Sequence, residues 1–293
     1  MPIDFQMITK AVFGPPSPFF RMLKNLKKRE EGRRYFSHFK ESTNFADYSM
    51  NLIVDIGNSV AKLTVMCAGE PTYATTISAD GWAAIEEIAQ RFPLAGCAAV
   101  CVGSQRAVAE KALRTLPFPV LWVTGNTPSP LAMSYETPQT LGADRLAAAV
   151  GAWVLFPGRE LLVVDAGTCI TYDRISGSGQ YLGGNISPGK NMRLEALHTF
   201  TAALPRVAPD CEILEIGKDT PTAIMAGVEW GIRFEVEGYV RKWKELKPGL
   251  QVVLTGGGAA SLATYLGPEV KTDAHLIARG LNKILGYQTE PIF

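Results

Sequence analysis

Apolar residues fall in short runs along most of the chain, and the period of the runs changes. "NLIVDIG" and "AKLTVMCAG" are nearly continuous and rich in branched residues, which predicts two strands joined by a tight turn. In "GWAAIEEIAQRF" the apolar positions recur at helical spacing. "CAAVCVG" reads as a buried strand, "RAVAEKALRTL" as a helix and "PVLWVTG" as a strand. "GADRLAAAVGAWVLF" predicts a helix opened by Gly142 and Asp144, and "ELLVVDAGTCITYDRI" then restarts the pattern with two strands. Helices are predicted over "MRLEALHTFTAAL", "TPTAIMAGVEWGIRFEVEGYVRKWKEL" and "HLIARGLNKILGY", and "QVVLTGGGA" as a strand ending in a glycine turn. Strands alternating with helices place the chain in the α/β class.

One pattern occurs twice. "LIVDIGNS" (52–59) and "LVVDAGTC" (162–169) align without gaps, each with aliphatic residues, an Asp, a small or aliphatic residue and a Gly. The repeat predicts two similar halves, 50–155 and 156–293, related by duplication, with 1–49 as a separate extension. Their strands are apolar enough to be buried on both faces.

A carboxylate at the tip of a buried strand is held rigidly while still able to meet solvent or a ligand. The following Gly lets the backbone turn tightly and offer N–H groups to an anion. Asn58 and Ser59 add short polar groups, and Lys62 adds positive charge suited to phosphate. A carboxylate also suits Mg²⁺, which takes oxygen ligands and keeps several waters. An ordinary turn with Asp accepting local N–H bonds is the alternative for one copy; two copies closing similar strands favour the chemical reading. "LTGGGA" (254–259) is either a site of close ligand approach or a simple strand-to-helix turn. Asp144 is either a reactive carboxylate or a helix cap. Arg145 offers a fork for a carboxylate or phosphate, or an ion pair at a helix end. "GGNISPG" (183–189) is either a cleft wall or architecture.

Composition narrows the partners. The chain has 293 residues and formal net charge +1, giving no general electrostatic footprint for nucleic acid. The charge is uneven: 1–49 carry +4 and the remainder −3. The longest uncharged run, Thr115 to Tyr135, is broken by Pro117, Pro119, Pro128 and Pro130, so no membrane span is predicted and a cytoplasmic protein is expected. Five cysteines, two of them inside "GCAAVCVG", read as reduced apolar residues rather than a disulfide framework, and no His/Cys spacing suggests zinc. "FFRMLKNLKKREEGRR" (19–34) is basic and loosely amphipathic. It could contact an anionic surface, but 1–49 are expected to be disordered or dispensable, with Met50 a natural start for the folded part.

Taken together, these motifs resemble the superfamily of acetate and sugar kinases, Hsp70 and actin. More closely, "DIGNSVAK", "YETPQTLGADR", "DAGT", "GGNISPG", "HTFTAALPRV", "DTPTAIMAGVEWGI" and "LTGGGA", in this order, resemble type III pantothenate kinases over nearly everything from Met50 onward. Ser59 stands where Thr is commoner, and Gly258 where a polar residue is frequent. The resemblance implies two ribonuclease H-like halves clasping ATP in a central cleft. It implies transfer of the ATP γ-phosphoryl to pantothenate, giving 4'-phosphopantothenate in the first step of coenzyme A synthesis. ATP contacts would come from Asp55, Ile56, Gly57, Asn58, Ser59, Val60, Ala61, Lys62 and Thr168. Asp55 would also hold Mg²⁺ through water, and Asp165 a monovalent cation, K⁺ or NH₄⁺. Asp144 would be the general base. Tyr135, Gly142, Ala143, Asp144, Arg145 and Thr220 would bind pantothenate, and a homodimer with its substrate pocket near the subunit interface is expected. Another small-molecule kinase of the superfamily, or a nucleotide-binding transcriptional accessory protein, would share the ATP motifs; Asp55, Lys62 and Asp144 together favour catalysis. A chain begun at Met50 is expected to fold and keep its activity; loss of either, by circular dichroism or assay, would assign the extension a necessary role.

Overall fold

The computed structural model describes residues 50–58, 60–78 and 80–289. The expected extension, 1–49, and Ser59 lie outside the described residues. The chain forms two compact units that meet at Trp122/Val123.

The first unit holds a five-stranded sheet. β1 (Met50–Ile56) pairs antiparallel with β2 (Ala61–Cys67), which pairs antiparallel with β3 (Glu70–Ile77). On its other side β1 pairs parallel with β4 (Leu94–Cys101), and β4 with β5 (Val120–Trp122). The order is β3-β2-β1-β4-β5. Alternation along β1 sends Leu52, Val54 and Ile56 into a cluster with α1 (Ala84–Arg91) and α2 (Arg106–Leu113), through Ile85, Ile88, Ala109 and Leu113. Period-two geometry then turns Ile53 and Asp55 to the opposite face.

The second unit repeats the plan. β7 (Leu161–Ala166) pairs antiparallel with β8 (Cys169–Ile175), and β8 with β9 (Gln180–Pro188). β7 pairs parallel with β10 (Gln251–Thr255), and β10 with β11 (Val270–Thr272). The order β9-β8-β7-β10-β11 matches that of the first sheet, strand for strand and sense for sense, with β6 (Ala132–Met133) added parallel to β9. The expected α/β class and paired halves are present.

Here both faces of the sheet are covered. Leu162, Val164, Ile170, Tyr172, Val252 and Leu254 point towards α4 (Lys190–Thr199), α5 (Thr220–Leu246) and α6 (Ala259–Leu266). The alternate residues face α3 (Ala143–Leu155), which packs on β7 and β8 and, extensively, on α7 (Leu276–Thr289). This packing places α3 in the second unit, so the contact boundary falls well before the 155/156 division suggested by the repeat. Helix α4 stops at Thr199, where bends replace the helix expected through "FTAAL". Strands β3, β6, β9 and β11 were not foreseen, while α6 follows β10 as the strand-to-helix alternative for "LTGGGA" implies. β3 is a partly exposed edge strand containing Pro71, and β9 carries Gly183, Gly184 and Pro188, all poor strand signals.

The crossing of α3 and α7 has no side chain between the backbones at its closest point. A Cβ on Gly151 would overlap the carbonyl oxygen of Leu276, and one on Gly280 would overlap that of Ala147. Gly151→Ala or Gly280→Ala should therefore destabilise the protein by ~1–3 kcal/mol through overpacking, read from urea unfolding. Gly238→Ala on α5, where a Cβ meets nothing within 4 Å, should be neutral or stabilise by under ~1 kcal/mol.

Candidate active site

In the first unit the candidate residues sit on the β1–β2 hairpin. Asp55 lies opposite Lys62 in the antiparallel register, so the two side chains share a face with Cβ atoms ~5 Å apart. The turn closes through Gly57 N–H donating to Val60 O at 3.0 Å. Gly103, after β4, backs it closely: a Cβ there would lie 2.9 Å from Gly57 O and 3.2 Å from Asn58 Cα. Ile56 and Ala61 bury their side chains in the hydrophobic cluster, so only their backbone could serve a ligand. Asn58, Val60 and Lys62 are exposed.

In the second unit the matching hairpin places Asp165 opposite Thr171. Its turn is one residue shorter than the first: Gly167 N–H donates to Cys169 O at 2.9 Å. Two other segments clasp it. Gly189 N–H donates to Thr168 O at 3.0 Å, and Gly258 N–H to Ala166 O at 2.9 Å. Gly256 has φ +84°, and a Cβ there would overlap Asp165 Oδ1 and crowd Ala166 O. The glycine turn of "LTGGGA" is thus required by the strand-end carboxylate beside it, and it leaves oxygens facing a space that a side chain would fill.

Asp144 lies in the first turn of α3, after Gly142 at the N-cap. It caps nothing there in the usual sense; its Oδ1 accepts from the N–H of Arg145 at 2.9 Å. A Cβ on Gly142 would stand 2.5 Å from that oxygen. The direction of α3 follows from two contacts. Arg145 meets Asp173 on β8, while Trp153, late in the helix, lies against Gly179 beyond the far end of β8. Since Asp173 is opposite Val163 and Ile175 opposite Leu161, the helix start points towards the Asp165 end of β7. Asp144 and Asp165 therefore share one face and one end of the second sheet.

Arg145 is buried, with 6% of its side chain exposed, and its partner Asp173 is fully buried. Nε and Nη2 donate to Asp173 Oδ1 at 3.0 and 2.6 Å, and Tyr181 donates to the same oxygen at 2.6 Å. Burial pushes the Asp173 carboxyl up against the pull of Arg145 and Tyr181. Burial works downward on the guanidinium, yet Asp173 holds it above its ordinary value. Tyr135 meets Tyr181 edge-on at 6.0 Å, and its ring centroid lies 5.9 Å from Arg145 Cζ. The structure thus joins Tyr135, Gly142, Ala143, Asp144 and Arg145 at one helix start. Arg145 makes an ion pair from the helix start, as its alternative reading had it, but the pair is buried rather than at the surface.

Thr220 is placed differently. It is the first residue of α5, after a capping box in which Asp219 accepts from Thr222 N–H at 2.9 Å. It lines a groove of about 1180 Å³ together with Met192, Phe200, Leu204, Ile224 and Val228. Tyr135 and residues 142–145 do not line that groove. A cavity of about 310 Å³ beside Phe118 and Trp122 in the first unit holds no candidate residue.

A family model described as type III pantothenate kinase matches residues 51–242. The chain belongs to the type III pantothenate kinase family. A type III pantothenate kinase of Bacteroides fragilis (strain ATCC 25285) is 45% identical over 241 residues, covering 81% of this chain and 98% of that one. One from Porphyromonas gingivalis (strain W83) is 39% identical over 242 residues, covering 82% and 99%. Among solved structures, a conserved Baf family protein of Campylobacter jejuni, 24% identical, aligns with TM-score 0.51 over 81% of this chain and 98% of its own, a likeness of fold.

Within this family frame, "GGNISPG" has a visible architectural role. Glu235 on α5 accepts from Tyr172 at 2.6 Å and Ser187 at 2.5 Å with one oxygen, and from Arg193 Nη2 at 2.6 Å with the other. Arg193 Nε also donates to Pro188 O at 2.7 Å. The end of β9, the start of α4 and the middle of α5 are tied at one carboxylate. Asp173 and Glu235 were both missed from sequence; Asp173 carried a signal, a charge inside a strand of otherwise buried character. All five cysteines are free, and burial pushes the Cys97 thiol up to about 12, as suits an inert core residue. Among the described residues no group of three or more His, Cys, Asp or Glu could hold a metal on its own.

Burial would push the Glu235 carboxyl up, but Ser187, Tyr172 and Arg193 outweigh it and hold it below the ordinary 4.5. A depressed value stabilises the folded state above the unfolded value, and that stability is lost as pH falls through the folded one. Glu235→Gln should therefore flatten the loss of stability on acidification between about pH 5 and 3, read from urea unfolding at several pH values. An unchanged slope would show that the network is not ionised in this way.

Proposed function

We propose that this protein transfers the γ-phosphoryl group of ATP to the primary hydroxyl of pantothenate, giving 4'-phosphopantothenate and ADP, the first step of coenzyme A synthesis. The observation that carries the reading, beside family membership, is the placement of Asp144. It starts a helix on the face and at the end of the second sheet where Asp165 stands, held by a neighbour that is itself locked.

Phosphoryl transfer demands positioning and charge neutralisation more than covalent chemistry. Asp144 accepts the hydroxyl proton as the acceptor oxygen bonds to the γ-phosphorus and the bond to the β-phosphate oxygen breaks. Backbone N–H groups of the turn that follows Gly57, with Asn58, Ser59 and Lys62, bind phosphate oxygens, and Thr168 contacts ATP. Asp165 suits a monovalent cation, K⁺ or NH₄⁺: its Oδ1 and the Ala166 carbonyl border the space kept by Gly256, a set of hard oxygen donors. Asp55 suits Mg²⁺ held through water, as for a metal bound by few carboxylates and mainly by substrate phosphates. These ions would supply positive charge against the phosphates. Tyr135 and residues 142–145 form the acceptor side, with Arg145 acting from a buried position.

A homodimer is part of the proposal. Phe200, Ile216 and Phe234 are 85%, 79% and 59% exposed, a large apolar display for a free surface. Phe200 rims the groove that also holds Thr220, which supports a pantothenate contact by Thr220 near a subunit interface. No helix among the described residues is long and apolar enough to cross a membrane. A cytoplasmic location is proposed with the biosynthetic role.

A coupled ADP-release assay with pantothenate, a panel of sugars and no acceptor tests the reading. Turnover should require pantothenate; sugar-dependent turnover would redirect it to another kinase. Asp144→Asn should lower kcat by about 10²–10⁴-fold with an unchanged circular dichroism spectrum. Retained turnover would remove the base assignment.

A further inference from the structure

The buried group on which α3 rests belongs to none of the roles assigned above. Asp173 sits in the middle of β8, opposite Val163 and Gly184, on the face covered by α3. One of its oxygens takes all three donors, Arg145 Nε, Arg145 Nη2 and Tyr181 Oη. The room for this comes from Gly184 across the strand pair. A Cβ there would stand 2.6 Å from Asp173 Oδ1 and 2.7 Å from Arg145 Nη2, and would overlap Tyr172 O.

Arg145 and Asp144 are consecutive in the first helical turn, and the Arg145 N–H is the donor that Asp144 Oδ1 accepts. Fixing the Arg145 side chain fixes the backbone that orients the Asp144 carboxylate. Two donor groups of Arg145 are spent on Asp173 in a side chain that is nearly fully buried, so the guanidinium cannot turn to a ligand without breaking this pair.

We propose that Asp173 is a positioning residue for Asp144: it holds Arg145, and through Arg145 it sets the first turn of α3 and the direction of the carboxylate that takes the hydroxyl proton. The inference rests on Asp144 being the base. Tyr181 is the second member of the clamp, since its hydroxyl shares the same oxygen of Asp173. Gly184 is the third, by leaving space.

A double-mutant cycle separates this role from general structural damage. Asp173→Asn keeps the size of the side chain and an acceptor oxygen but removes the charge that holds Arg145. It should lower kcat for pantothenate phosphorylation by about 10- to 100-fold, with KM for ATP within about twofold. In an Asp144→Asn background the same change should lower kcat by less than about twofold, because no base remains to be misplaced. Tyr181→Phe, which removes one bond to Asp173 and is gentler on the fold, should show a smaller loss that also vanishes in the Asp144→Asn background. It carries the cycle alone if Asp173→Asn lacks a native circular dichroism spectrum. Equal losses in both backgrounds, or unchanged kcat in a folded Asp173→Asn, would overturn the inference while leaving Asp144 as the base. Full turnover by Asp144→Asn alone would instead overturn the base assignment, and this inference with it.

Discussion

A sheet covered by helices on both faces leaves no water for a charge at its centre. The second sheet is built this way, so Asp173 in the middle of β8 must be answered from within. Arg145 supplies the answer and can reach only from the first turn of α3. Helix position, the small residue at 184 and the packing of Tyr135 on Tyr181 follow from that requirement. Removing one partner of such a pair leaves the other charge buried and unpaired, which is strongly destabilising, whereas replacing both with apolar residues often costs little.

The two units show what a repeated plan keeps and what it lets change. Both sheets run in the same strand order with the same senses, and both put a carboxylate at the end of the central strand. The residue opposite differs: Lys62 faces Asp55, while Thr171 faces Asp165. A cation beside one carboxylate and a hydroxyl beside the other suit different tasks. Beside the second carboxylate the glycine turn before α6 keeps space that a side chain would fill.

Much of this was legible in the chain. Asp55 and Asp165 stood out because a charge interrupts an apolar run, a contrast visible in one dimension. The central strands and long helices were legible for the same reason, their periodicity being strong and local. Strands β3, β9 and β11 were not. β9 contains glycines and a proline, and its identity as a strand comes from pairing with β8, a non-local fact. The contact division is non-local too: the repeat groups α3 with the first half, but its partner in packing, α7, is more than 100 residues further along. Asp173 was in view at the end of a quoted strand, but burial on both faces is what makes it consequential, and no spacing rule reports that. Arg145 was read as a fork for a ligand or as half of an ion pair, and its partner Asp173, 28 residues away, is too distant for spacing to name.

The contact of Gly151 with Gly280 bears on how α3 can move. Helices separated by side chains can slide as rotamers exchange. Here backbone meets backbone, and there is no such bearing between them. α3 and α7 are therefore held against sliding where they cross, and Asp144 stands on α3 just before that crossing.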